Sequence, residues 1–137
     1  MQPYKYDKVL IVDDTTLDCF IAERVMRHTR FAKDTICINS ASDALTYLGN
    51  LSDNSEALPE LIFLDVNMPG MSGFQFLYEY QKLRGNMKKR SVVMLTSSMM
   101  ENEKEDALRN EYVRSFINKP LSIDALEELE AVEVQQA

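Results

Sequence analysis

The chain has 137 residues, of which 45% are hydrophobic and 27% are charged, a balance typical of one globular domain with one core. Its net charge of -7 disfavours direct nucleic-acid binding, because contacts with a phosphate backbone need clustered Lys and Arg. No apolar run approaches the ~20 residues that cross a bilayer, and the first residues lack the apolar region of a signal peptide. We therefore expect a cytoplasmic protein without membrane insertion.

The cysteines and the single histidine do not indicate a catalytic or zinc site. Cys19 and Cys37 lack metal-ligand spacing and lie in apolar segments, so we expect reduced thiols in the core and no disulfide. His28 falls late in the first predicted helix, which favours a helix-end role over a role as phosphodonor.

The hydrophobic pattern predicts five strands that alternate with five helices. The predicted strands are short apolar runs over residues 9–12, 35–39, 61–64, 92–95 and 113–117. The first predicted helix is capped by Thr15 or Thr16 and ends near Thr29. Further predicted helices cover residues 42–48, 74–83 and 100–110, and a last one starts at Ser122 or Asp124. Short strands separated by helices predict right-handed crossovers and a parallel sheet, and hence an α/β fold.

Three local features of these elements are also predicted. In the first helix Leu17, Ile21 and Val25 recur at every fourth residue, with Phe20 beside them, so we expect this stripe to face the core. Gly49 is expected to stop the second helix, before a long polar surface loop over residues 49–60. The tail, residues 132–137, is expected to fray.

Polar functional residues follow four of the five predicted strands: Asp13 with Asp14, then Asp65, Thr96 and Lys119. Each has an ordinary reading on its own, as a strand end, a helix cap or a surface lysine. In a parallel sheet, however, the carboxyl ends of the strands lie at one edge, where open α/β sheets bind their ligands. The pattern therefore predicts that these side chains converge on one crevice.

The charges of this predicted cluster indicate a divalent cation. Two like charges ~4 Å apart repel by about 4 kcal/mol at an effective dielectric near 20, and Lys119 offsets only one of the three carboxylates. Hard oxygen ligands with room for water favour Mg²⁺ over a closed calcium cage, and the donor set disfavours zinc. A carboxylate beside Mg²⁺ and a lysine can act as a nucleophile toward phosphorus, with the Thr96 hydroxyl as a hydrogen-bond donor.

Four segments together resemble the receiver domain of bacterial two-component response regulators: VLIVDD, LIFLDVNMPGMSG, VVMLTSS and FINKP. The resemblance covers about residues 7–132. It implies a flavodoxin-like (βα)5 three-layer sandwich, with five parallel strands in the order 2-1-3-4-5. It also implies that residues 1–137 form a single receiver domain, with terminal extensions at 1–6 and 133–137.

Carried over to this sequence, the resemblance implies that Asp65 is the phosphoacceptor. It assigns Asp14 to direct binding of Mg²⁺ and Asp13 to binding through water. Asn67 would supply a backbone carbonyl to the metal, and Asp65 completes the set of ligands. The Lys119–Pro120 peptide bond would be cis, which costs only about 0.5–1 kcal/mol before proline.

The resemblance also implies which residues contact the phosphoryl group, which respond to it and which affect its lifetime. Thr96 and Lys119 would contact the phosphoryl group, and Thr96 with Phe116 would form the switch. Many relatives carry Tyr where Phe116 stands, so the hydroxyl is absent here. Asn67 and Ser98 occupy the two positions that tune the lifetime of the phosphate.

The function implied is that of a stand-alone response regulator in a phosphorelay. A sensor histidine kinase or a histidine phosphotransfer protein would phosphorylate Asp65, and a changed contact surface would act on an unknown downstream protein, with homodimerisation left open. The protein would not be an enzyme beyond its own phosphorylation and dephosphorylation.

Two other function classes compete with this reading. A phosphatase of the haloacid-dehalogenase type also uses an aspartyl nucleophile, but it needs a second aspartate where Asn67 stands. A receiver fold used only as a binding module usually loses an acidic or lysine position, and all of these positions are retained here.

Overall fold

The computed structural model describes the backbone of residues 3–51, 54, 56–83, 87–97 and 101–136, and their side chains except those of 101 and 130–136. Within these residues, five strands alternate with five helices. The strands are β1 (Tyr6–Val12), β2 (Ala32–Ile38), β3 (Leu61–Asp65), β4 (Val92–Thr96) and β5 (Val113–Asn118). The helices are α1 (Thr16–His28), α2 (Ala41–Leu51), α3 (Gly73–Tyr80), α4 (Glu101–Leu108) and α5 (Ile123–Gln136).

The strands form one parallel sheet in the order β2-β1-β3-β4-β5, which confirms the flavodoxin-like order. Because β1 lies between β2 and β3, the order reverses there. The crevice beyond the carboxyl ends of β1 and β3 is where such a sheet binds ligands. None of the described helices has the length and apolarity needed to cross a membrane.

Both faces of the sheet are covered by helices, which gives the predicted three layers. Alternate residues of β1 point to opposite faces: Leu10 and Val12 pack with α2, α3 and α4, whereas Val9 and Ile11 pack with α1 and α5. Residues 9–12 of β1, 61–64 of β3 and 92–95 of β4 are buried by the helices on both faces, which explains why each of these runs is apolar without interruption.

The prediction for the inward face of α1 was wrong. The residues of α1 that are buried are Cys19, Ala22 and Met26. Leu17 and Phe20 are instead 63% and 57% exposed, and Ile21 and Val25 are only partly buried. The helix carries apolar residues on two faces, so periodicity could not select the buried one. The face with the smaller Cys19 and Ala22 packs against the sheet.

The expectation of two reduced cysteines was also wrong. Cys19 in α1 and Cys37 in β2 are joined by a disulfide, and their Cα atoms are 6.3 Å apart, within the usual range. Cys37 lies on the face of β2 that packs with α1, which brings it to Cys19. The spacing of 18 residues along the chain gives no sign of this proximity.

Several element ends differ from the prediction, among them the carboxyl ends of α2 and α5. Helix α2 continues through Gly49 to Leu51. The packing of Leu48, which is 1% exposed, offsets the ~0.5–1 kcal/mol that an internal glycine costs. Helix α5 extends to Gln136 rather than fraying from residue 132, since its last turns contain neither Gly nor Pro.

The segment after α2 is tied to β1 at its end. The backbone N–H of Glu60 donates to the carbonyl of Lys8 at 2.9 Å, and the Lys8 ammonium donates to the carbonyl of Ala57 at 3.0 Å. Residues 52, 53 and 55 of the predicted surface loop lie outside the described residues. The part near Glu60 is therefore a tethered connection into β3.

Candidate functional site

The carboxyl ends of the central strands bring the predicted side chains to one edge of the sheet. Val12 at the end of β1 pairs with Leu64, one residue before Asp65, and Asp65 pairs with Leu95 of β4. Thr96 follows Leu95 and pairs with Asn118 of β5. The register therefore places residues from four stretches of the chain beside one another, as the strand pattern predicted.

Three aspartates meet at this edge. Carboxylate oxygens of Asp13, Asp14 and Asp65 all lie within 4.8 Å of one another. Asp13 is 1% exposed and Asp65 is 4% exposed, whereas Asp14 is exposed to solvent. Two buried carboxylates and one solvent-facing carboxylate provide hard oxygen ligands on a side open to water, and this donor set fits Mg²⁺.

Backbone groups fix Asp13 in place. Its Oδ1 accepts a hydrogen bond of 2.9 Å from the backbone N–H of Thr15, at the start of α1. Its carbonyl accepts from Asn39 Nδ2 at 2.9 Å, and its N–H donates to the Ile38 carbonyl at 3.2 Å. These bonds anchor Asp13 to both β2 and α1, so its carboxylate cannot easily turn away from the cluster.

Asp65 is fixed in a similar way by the turn that follows β3. The backbone N–H of Asn67 donates to Asp65 Oδ1 at 3.2 Å. Val66, the residue after β3, donates its N–H to the Leu95 carbonyl at 2.9 Å, and its own carbonyl accepts from the N–H of Gly73 at 2.7 Å. The phosphoacceptor candidate therefore lies on a rigid strand end.

The glycine at the start of α3 is required by close packing. A Cβ on Gly73 would lie 2.9 Å from the carbonyl oxygen of Asp65 and 3.0 Å from Val66 Cα, both backbone atoms. Ser72 and Gln75 form a capping box around this first turn, which holds α3 against the end of β3. Gly73 thus allows α3 to start directly beside Asp65.

Lys119 provides the positive charge of the cluster. Its Nζ lies 2.7 Å from Asp13 Oδ2, 2.8 Å from Asp18 Oδ2 and 3.4 Å from Asp65 Oδ1. Its backbone N–H donates to the carbonyl of Thr96 at 2.7 Å, and the Lys119–Pro120 bond is cis, as the resemblance implied. One ammonium thus faces three carboxylates.

This crowding of charges shifts the ionisation of the central groups. Burial, followed by the charge of Asp13, raises the pKa of Asp65 to about 6, although Lys119 and the Asn67 N–H oppose the rise. Burial alone would lower the pKa of Lys119, but the hydrogen bonds to Asp13 and Asp18 raise it above its ordinary value. Asp65 is therefore a carboxylate whose charge is costly without a further cation.

The structure describes three of the four other predicted site residues. Thr96 is fully buried at the end of β4, and Asn67 is exposed beside Asp65. Phe116 lies opposite Met94 in the sheet and packs on the face covered by α2, α3 and α4. Ser98 lies outside the described residues.

Two residues of the site were missed by sequence reasoning. Asp18 lies in the first turn of α1 and binds Lys119, and Asn39 directly follows β2 and binds the backbone of Asp13. Asn39 could have been found, since it is the polar residue at the end of the one strand left out of the pattern. An acid in the first turn of a helix is common for dipole reasons, so Asp18 gave no such signal.

The chain resembles characterised proteins over nearly its whole length. A sequence profile of the family described as response regulator receiver domain matches residues 9–130. A crystal structure of a two-component response regulator from Cytophaga hutchinsonii has 27% identity and a TM-score of 0.86, and covers 96% of this chain and 98% of that one. Two-component response regulator ARR17 from Arabidopsis thaliana is 33% identical over 128 residues, 88% of this chain and 80% of that protein.

Relatives of other lengths also match. The probable methanogenesis regulatory protein FilR2 of Methanothrix harundinacea is 25% identical over 86% of this chain and 75% of its own length. Several further curated relatives are longer, and the chain spans between 7% and 66% of their length.

The sheet order and the acidic edge define a doubly wound α/β protein with its candidate site at the switch point of the sheet. The chain belongs to the response regulator receiver domain family. Receiver domains are signalling modules, generally not enzymes, that histidine kinases or phosphotransfer proteins phosphorylate, and they bind Mg²⁺ through an acidic pocket.

Proposed function

We propose that this protein is a stand-alone response regulator receiver, a single domain over residues 1–137 with its core at about 7–132, that accepts a phosphoryl group on Asp65. The observation that carries the proposal is the meeting of Asp65, Asp13, Asp14 and Lys119 at one edge of the sheet, from three separate segments. The donor is a phosphohistidine on a sensor histidine kinase or a histidine phosphotransfer protein.

Transfer consists of one displacement at phosphorus. Asp65 Oδ1 is held by the Asn67 N–H at 3.2 Å and lies 3.4 Å from Lys119 Nζ, so we assign the attack to Oδ2. The new O–P bond forms as the P–N bond of the phosphohistidine breaks, and the electron pair of that bond stays on the imidazole nitrogen. Lys119 and the Thr96 hydroxyl stabilise the negative charge on the phosphoryl oxygens.

Mg²⁺ would offset the negative charge of the carboxylates that Lys119 leaves uncompensated. Asp13, Asp14 and Asp65 would hold it together with the backbone carbonyl of Asn67, and when bound it supplies neutralisation of the phosphoryl oxygens. The pKa of Asp65, which burial and then the charge of Asp13 raise in spite of Lys119, is consistent with this assignment, because a bound cation would stabilise the ionised carboxylate.

The output is a changed protein-contact surface. A phosphoryl group of about -1.5 to -2 charge would draw Thr96 toward Asp65, and Phe116 would fill the space that Thr96 leaves. Helix α4 is suited to respond, since its Ala107 is buried while Leu108 is 47% exposed. An unknown downstream protein would bind the surface formed by α4, β5 and α5, and Asn67 with Ser98 would tune the lifetime of the phosphate.

Intact-mass measurement tests the proposal. After incubation with acetyl phosphate and Mg²⁺, the wild-type protein is expected to gain the mass of one phosphoryl group, and the gain should disappear with EDTA. Asp65→Asn should gain nothing, whereas Asp34→Asn, which removes an exposed carboxylate of β2, should behave as wild type. Equal mass gain in wild type and Asp65→Asn would refute the assignment.

A further inference from the structure

The Lys119 ammonium lies closer to α1 than to the phosphoacceptor candidate. Its Nζ is 2.8 Å from Asp18 Oδ2 and 2.7 Å from Asp13 Oδ2, both typical of charge-assisted hydrogen bonds. The distance to Asp65 Oδ1 is 3.4 Å, longer than such a bond. An ammonium has three N–H donors, and two of them are thus directed away from Asp65.

We propose that Asp18 is a positioning residue that holds the Lys119 ammonium on the α1 side of the site before phosphorylation. The inference rests on the function proposed above. A phosphoryl group on Asp65 needs Lys119 as a hydrogen-bond donor, so the Asp18 carboxylate competes with the phosphoryl oxygens for the same cation.

The exposure of the two partners indicates which bond yields. The side chain of Asp13 is 2% exposed and that of Asp18 is 30% exposed. Water can hydrate Asp18 when Lys119 leaves, whereas the buried carboxylate of Asp13 has little access to water, so its separation from Lys119 costs more. The bond to Asp18 is therefore the one that opens, and Asp18 sets how readily Lys119 reaches the phosphoryl group.

Binding of beryllofluoride, an analogue of the phosphoryl group, tests this role at saturating Mg²⁺. Asp18→Asn keeps the shape of the side chain but weakens its hold on Lys119, and we expect it to bind beryllofluoride roughly three- to tenfold more tightly than wild type, as release of a partly exposed ion pair allows. Asp18→Glu restores the charge and should return the affinity toward the wild-type value. If Asp18→Asn only disturbed the fold around the site, it should bind beryllofluoride more weakly than wild type.

Two controls separate positioning from general electrostatics. Asp43 lies at the third position of α2, as Asp18 does in α1, and it is exposed, so Asp43→Asn removes an equivalent charge and should leave the affinity unchanged. In a Lys119→Met background, Asp18→Asn should have no effect, because its action passes through Lys119. If Lys119→Met does not fold, the comparison of Asp18→Asn with Asp18→Glu and Asp43→Asn decides.

The outcomes distinguish the two proposals. Absence of beryllofluoride binding by the wild type would overturn the proposed function and this inference with it. If the wild type binds and Asp18→Asn binds no more tightly, the inference alone fails. It also fails if Asp43→Asn tightens binding equally, or if tightening persists without Lys119.

Discussion

Replacing Asp65 by Asn is expected to stabilise the metal-free fold at neutral pH. Asp65 is 4% exposed, and burial together with the charge of Asp13 raises its pKa from 3.8 to about 6. The native state therefore binds this proton more tightly than the unfolded chain. The stabilisation by the proton is complete below about pH 4 and is lost as the pH rises through 6.

The size of the stabilisation by Asp65→Asn follows from the rise in the pKa of Asp65. A difference of about two pH units corresponds to about 3 kcal/mol between the protonated and ionised states. Asparagine carries no charge at any pH, so Asp65→Asn should escape this cost. We expect its free energy of unfolding to exceed that of wild type by roughly 2–3 kcal/mol near pH 7.5, and the gain to vanish near pH 4.

Urea denaturation in EDTA at the two pH values measures this difference. Asp34→Asn, which changes an exposed aspartate of β2, should stay within about 0.5 kcal/mol of wild type. If Asp65→Asn were no more stable than wild type near pH 7.5, the raised pKa of Asp65, attributed to its burial and to the charge of Asp13, would be refuted. A gain of the same size at both pH values would show that the charge is not its cause.

Three further results are expected. Gly73→Ala should lower the free energy of unfolding by about 1–3 kcal/mol, because the added Cβ would lie 2.9 Å from the carbonyl oxygen of Asp65. An unchanged midpoint of urea denaturation would contradict this. Met26→Ala should lower the free energy of unfolding by about 2–5 kcal/mol, because Met26 is fully buried, and Phe20→Ala by less than about 1 kcal/mol, because Phe20 is 57% exposed. Losses of similar size would contradict the observed buried face of α1. Mg²⁺ should raise the Tm of wild type more than that of Asp13→Asn, and equal rises in thermal scans would remove Asp13 from the ligand set.

The strands and their polar ends were predictable because they depend on short-range rules. Residues 9–12 of β1, 61–64 of β3 and 92–95 of β4 are buried on both faces, so each appears as an unbroken apolar run. Once the sheet is parallel, the residues after those runs must share an edge, and this placed Asp13, Asp65 and Thr96 together. The strand order itself did not follow from the pattern and came from the resemblance to receiver domains.

The features that were missed depend on distances between elements. The inward face of α1 is selected by how closely the helix approaches the sheet, and two apolar faces compete for it in the sequence. The same approach brings Cys19 to Cys37 across 18 residues and carries Asp18 to Lys119 across 101. Periodicity describes one element at a time, so it could not predict pairs that arise from packing.

The two kinds of element have different roles in the site. Strand ends supply the groups proposed to perform the chemistry, Asp13, Asp65 and Thr96, with Lys119 directly after β5, and backbone bonds fix the two aspartates in place. The first turn of α1 supplies Asp18, which contacts Lys119 and is 30% exposed. A substitution in that turn can change how tightly the cation is held while the carboxylates stay in place. If the proposed roles of Asp65 and Asp18 hold, we expect substitutions in α1 to change the phosphorylation rate and the phosphate lifetime without loss of the acceptor or of the proposed metal ligands.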